Sequence, residues 1–194
     1  MMKSIALTSL FTFSTIIGFA QSNRIGSLKH ELAISSRDTT RVLILSELAN
    51  EYKFSIPDSA FFYGLHALEL TRELGFERGE ARVLFILGVG YNASGNVSKA
   101  LDLQFKSLQI ADKNNFLGEK QDVLTQLGNY YNASRDYKKG LYYLHQALRI
   151  SDPNRSESMA ETLSLIGRTY FLMDKLDSAE YYIQLTFDLV EKNN

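Results

Sequence analysis

Apolar, tiny and aromatic side chains recur along this chain in a fixed order. Leu48, Leu87, Leu127 and Ile166 are each followed directly by a small residue, Ala49, Gly88, Gly128 or Gly167, and three residues later by Tyr52, Tyr91, Tyr131 or Tyr170. A second set trails each tyrosine: Ala60, Ala100, Gly140 and Ala179, then, seven residues on, Ala67, Ser107, Ala147 and Thr186. Side chains at this spacing share one face of a helix. The tiny residue lets two antiparallel helices approach, the tyrosine fills the space beside the contact, and the second small residue admits the next unit. The pattern therefore predicts four helical hairpins, each of a helix A and a helix B.

The frame repeats down to single residues, since Tyr91-Asn92-Ala93-Ser94 returns as Tyr131-Asn132-Ala133-Ser134. Turn signals keep the same register. Pro57-Asp58-Ser59, Ser94-Gly95-Asn96, Ser134-Arg135-Asp136 and Asp177-Ser178 mark the turns within units, while Gly75-Phe76, Asn115-Phe116 and Asn154 mark those between them. Glycine and asparagine tolerate the left-handed conformation that ends a helix. The expected organisation is a leader over 1–20, an N-terminal helix over 21–37, and hairpins over about 38–75, 78–115, 118–153 and 155–192. The amphipathic stretch with Ile25, Leu28, Leu32 and Ile34 is expected to cover the open end of the first hairpin.

Leu87-Gly88-Tyr91-Ala100-Ser107, with its counterparts through Leu127 and Ile166, resembles the tetratricopeptide repeat. The spacing departs from the usual period of about 34 residues, running near 40 here, and Gln104 and Gly64 stand where helix B often carries an aromatic residue. The resemblance implies an all-α fold, a right-handed superhelical solenoid of stacked antiparallel hairpins that binds proteins or peptides in its groove. The heat-shock tail-binding members use a lysine and an asparagine in the first helix A and further Asn, Lys and Arg beyond. Only Asn50 fits; Ser46, Ile86, Asp122 and Gln126 occupy the other places, and an aspartate repels a carboxylate.

Met1-Met2-Lys3, an uncharged apolar run from Ser4, and Gly18-Phe19-Ala20 form the pattern of a secretory signal peptide cleaved near Ala20. Localisation outside the cytoplasm, secreted or periplasmic, is the expectation, with no membrane association beyond the signal peptide. The chain has no cysteine, so stability must come from stacked apolar faces. Its formal net charge of −1, with basic residues scattered, gives no nucleic-acid footprint.

Catalytic groups do not assemble in the sequence. His30, His66 and His145 fall in different helices without metal-ligand neighbours, and Gly88-Val89-Gly90 lacks the rest of a phosphate-binding fingerprint. No catalysis, cofactor or metal is expected. The Asn-x-Ser triplets at Asn92, Asn96, Asn132 and Asn154 are read as turn composition, and the Tyr-Tyr and Phe-Phe runs as hairpin packing.

If helix A lines the concave side, the groove residues are Ser46, Asn50 and Lys53 in the first unit and Phe85, Val89 and Asn92 in the second. Thr125, Asn129 and Asn132 follow in the third, and Ser164, Arg168 and Phe171 in the fourth. Four asparagines would then form an amide ladder able to pair with an extended peptide. The leading expectation is a non-catalytic interaction scaffold. The alternative is the N-terminal sensory region of a bacterial signalling protein with a kinase, cyclase or DNA-binding output. Ile183, Phe187 and Val190 on the last helix suggest self-association through that edge.

Overall fold

The structure, a computed structural model, describes residues 23–152 and 154–192. These residues are helical with no strand among them. The described part of α1 covers 23–34. Eight further helices follow: α2 Thr39–Tyr52, α3 Pro57–Glu73, α4 Glu77–Ala93, α5 Val97–Lys113, α6 Leu117–Ala133, α7 Tyr137–Arg149, α8 Ser156–Leu172 and α9 Leu176–Lys192. The expected signal peptide lies outside the described residues.

Helices pack as sequential hairpins, α2 with α3, α4 with α5, α6 with α7 and α8 with α9, and each hairpin packs on the next. Consecutive A helices (α2, α4, α6, α8) approach one another backbone to backbone, whereas the backbones of consecutive B helices stay further apart, α7 and α9 meeting through the His145 and Tyr182 rings. That inequality bends the stack, with A helices on the inner side and B helices outside.

The small columns set the hairpin spacing. A Cβ built on Gly128 would lie 2.5 Å from the Leu144 side chain and 3.1 Å from the backbone oxygen of Gly140. Gly64, where an aromatic is common in the family, works between units: its Cβ would meet Leu87 of α4 at 2.5 Å. Gln104 fills the same position in α5 and donates through Nε2 to the Phe85 carbonyl at 3.1 Å. Ser107 is buried and donates to the Ala81 carbonyl of its own hairpin at 2.6 Å.

The tyrosine column stacks inside its hairpins. Tyr52 stacks on Tyr63, Tyr131 on Tyr143 and Tyr170 on Tyr182, with ring centroids 5.3 to 5.9 Å apart. In the second unit Leu103 occupies the helix B position, and Tyr91 stacks instead on Phe61 of the preceding unit at 4.4 Å. Within the runs Tyr63, Tyr143 and Tyr182 pack, while Phe62, Tyr142 and Tyr181 beside them are exposed, and His145 of α7 lies edge-on to Tyr182 of α9.

Turns are closed by backbone geometry. Gly95, Arg135 and Asp174 take positive φ within hairpins, as Gly75 and Asn115 do between them. Each is followed by a residue whose N–H returns to the previous helix, for example Asn96 to Tyr91 O and Asp136 to Tyr131 O, both at 2.9 Å. Asn96 and Asp136 then cap the next helix by accepting from Lys99 N and Lys139 N.

Ile25, Leu28 and Leu32 of α1 pack against Ile44, Leu48, Tyr52 and Ala60, closing the first hairpin. Ile34, grouped with them on sequence, is exposed, because the helix ends there and the chain turns toward α2. At the other edge Ile183, Phe187 and Val190 are exposed on α9.

Gly128→Ala should lower the denaturation free energy by about 1–3 kcal/mol, because the hairpin must open or Leu144 must shift. Gly26, whose Cβ would meet nothing within 4 Å, is the control: Gly26→Ala should cost no stability in the same urea titration.

Candidate partner-binding trough

The inner surface formed by α2, α4, α6 and α8 is not smooth. Two cavities, of about 420 and 380 Å³, share Phe85 and Asp122 and make one trough across all four A helices. The first is walled by Arg78, Arg82, Glu119 and Arg155 with Asn50 at its edge. The second is walled by Lys53, Phe54, Gln126, Ser158 and Glu161 over a floor that includes Val89 and Thr125.

Of the residues chosen from the sequence, Asn50, Lys53, Phe85, Val89 and Thr125 line this trough. Val89 and Thr125 are mostly buried, and Thr125 exchanges a hydrogen bond with Thr162 at 2.9 Å. Ser46 is a correction: it is buried and donates to the Val42 carbonyl at 2.7 Å. Asn132 is another. It is buried, donates through Nδ2 to Thr169 Oγ1 at 2.6 Å, and packs its Oδ1 where Gly140 leaves room. Asn129 accepts from Arg168 Nη2 at 2.6 Å, and this pair, with Asn92, Ser164 and the exposed Phe171, lies outside both cavities. The amide ladder is therefore not present as an open row; Asn50 alone of the four predicted asparagines lines the trough.

The error has one geometric source. Relative to the small column, the last lining residue of each unit falls progressively earlier: Lys53 well after Ala49, Val89 just after Gly88, Gln126 just before Gly128 and Glu161 well before Gly167. Adjacent A helices are staggered, so a line across the array meets each at a different height. The missed residues had a signal in the sequence, namely charged side chains in the first half of a helix A: Arg78, Arg82, Glu119, Asp122 and Glu161.

Ion pairs organise one end of the trough. Arg155 Nη2 donates to both oxygens of Asp122 at 2.9 and 3.0 Å, joining α6 to the start of α8. Gly118 gives the guanidinium its place, since a Cβ there would come within 2.8 Å of Nη1. Arg78 reaches Glu119 at 3.4 Å, and Arg82 pairs with Glu47, which also takes Arg24 at 2.9 Å. Burial raises the Asp122 carboxyl above its usual range, and Arg155 offsets only part of that. Burial also raises Glu161, assisted by the Asp122 charge, and lowers the Lys53 amine. The trough thus disfavours charge on its own walls.

Stacked A/B hairpins closed by small residues, with A helices inside, define a tetratricopeptide-type helical repeat protein. A family model described as the SusR N-terminal TPR domain matches residues 20–194, and the chain belongs to that family. No curated protein sequence matches the chain. Among solved structures, BtubC (BKLC) from P. vanneervenii is 18% identical with a TM-score of 0.66, covering 94% of this chain and 76% of its own. Aspartyl phosphate phosphatase F from Bacillus subtilis is 14% identical with a TM-score of 0.74, and the match spans 86% of this chain and 44% of the phosphatase. MamA is 19% identical with a TM-score of 0.58 over 87% of this chain and 88% of its own. At these identities the likeness establishes the fold alone.

A carboxyl whose pKa is raised by folding stabilises the native state while protonated and costs stability once ionised, so stability falls as pH rises from the unfolded toward the folded pKa. Glu161→Gln removes that loss. The substituted protein should be more resistant to urea than wild type at pH 7 and equal to it below the unfolded glutamate range, compared by denaturation midpoints across pH.

Proposed function

We propose that the protein is a non-catalytic interaction scaffold that holds a peptide segment of a protein partner along the concave trough. The observation that supports this most is the continuity of the trough across α2, α4, α6 and α8, with the Phe85 ring shared by its two halves. An extended segment lying there meets side-chain amides at Asn50 and Gln126, a hydroxyl at Ser158 and an aromatic anchor at Phe85. The amides and hydroxyl suit main-chain groups, and the ring suits an apolar side chain. The ion pairs at the arginine end orient a partner more than they tighten its grip.

A second reading is the N-terminal region of a signalling protein; the family description places this type of domain at the N-terminus of SusR, which fits an N-terminal position and does not speak to signalling. In that case the trough would carry the input. Export is part of both readings; we propose cleavage after Ala20, a position adjoining the start of the family match at residue 20. Intact-mass measurement of the protein recovered from its native host should give a chain beginning at Gln21, and a mass retaining Met1 would refute export by this route.

Capture of partners by the immobilised protein tests the scaffold. Phe85→Ala combined with Gln126→Ala should weaken capture about tenfold or more, the effect of removing a central anchor, while helical circular dichroism stays the same. Asn132→Ala should do the opposite. It removes the bond that Thr169 accepts, empties the space beside Gly140 and lowers stability by about 1–3 kcal/mol, yet leaves capture intact at temperatures where the fold persists. Undiminished capture by the double variant would remove the trough as the binding site.

A further inference from the structure

Charges along the trough divide into two kinds. At the arginine end each guanidinium already meets a carboxylate: Arg155 with Asp122, Arg78 with Glu119, and Arg82 with Glu47. The other end is different. Lys53, near the end of α2, donates to Asn50 Oδ1 and lies 5.1 Å from the Phe54 ring centroid, but among the described residues it forms no ion pair. Glu161, on α8, accepts no hydrogen bond and joins no ion pair among the described residues. The two come from the first and last hairpins and line the same cavity of about 380 Å³.

Lys53 is half-buried and Glu161 stands exposed at the rim, and among the described residues neither has an ion-pair partner to offset what its charge loses on leaving water. Lys53 feels the field of Glu51 first, then those of Glu161 and Glu47, without pairing with Glu161, and the nearby Asp122 is engaged by Arg155. A lone anion would satisfy Lys53 and confront Glu161; a lone cation would do the reverse. A molecule with both charges satisfies both and leaves the net charge of the cavity unchanged. The volume lies toward the small end of ligand pockets, and Phe85, Val89 and Phe54 offer an apolar wall.

We propose that this cavity binds a small zwitterion, an α-amino acid or dipeptide with an apolar side chain, its carboxylate on Lys53 and its ammonium on Glu161. This goes beyond the scaffold reading and does not depend on it. Titration calorimetry of the purified protein with L-leucine, L-phenylalanine and leucyl-leucine should show saturable binding. N-acetyl-leucine and leucine amide, each lacking one charge, should bind at least tenfold more weakly, a comparison made on the wild-type protein alone. Lys53→Met and Glu161→Gln should each weaken leucyl-leucine binding at least tenfold with helical circular dichroism unchanged. Loss of binding together with raised stability in Glu161→Gln is an outcome that a purely structural role would not give. Absence of saturable binding into the millimolar range, equal binding of the capped compounds, or retention of affinity in either variant would overturn the proposal. Partner capture through Phe85 and Gln126 is read separately, so either idea can fail alone.

Discussion

The close approach of helix A to helix B is the contact on which the rest of this molecule depends. Gly128 and Gly140 face one another so closely that a Cβ on Gly128 would run into Leu144 and one on Gly140 into Asn132, and Gly88 stands against Gln104 and the Ala100 carbonyl in the same way. Backbones held this near leave no room for large side chains, which are displaced to the two ends of the contact. There the Tyr131–Tyr143 and Tyr170–Tyr182 stacks fill the space. The hairpin therefore becomes a rigid unit of fixed width, and the array follows from repeating it.

Between hairpins the contacts are more individual. Thr125 with Thr162 and Asn132 with Thr169 join α6 to α8 through buried polar pairs, while α3 and α4 meet through Gly64 and Leu87. The second hairpin borrows Phe61 from the first to stack on Tyr91. Such junctions set the stagger of the A helices, and the stagger decides which side chains share the trough. Lys53 and Glu161 meet in one cavity although they belong to the outermost hairpins.

This division explains what the amino-acid sequence could disclose. Packing inside a hairpin is imposed on every copy, so it leaves aligned columns such as Gly88, Gly128 and Gly167, and the fold follows from them. Packing between hairpins is solved differently at each junction and leaves no column. Asn132 looks like an accessible amide by position and is buried because Thr169 and Gly140 receive it. Arg155 stands at the very start of the fourth hairpin, just before α8, yet reaches Asp122 across the trough. The charged residues that line the trough were visible in the sequence; their meeting was not.

The inner and outer surfaces differ in how they are braced. The backbones of successive A helices come together along the concave side, but those of the B helices stand further apart on the convex side, where the His145 and Tyr182 rings reach across from α7 to α9. In mechanical terms the array is a row of stiff plates, held by each B helix against the next hairpin and by the A helices along the inner edge. Resistance to bending is shared between these two sets of junctions, and a ligand spanning from α2 to α8 would clamp the inner one.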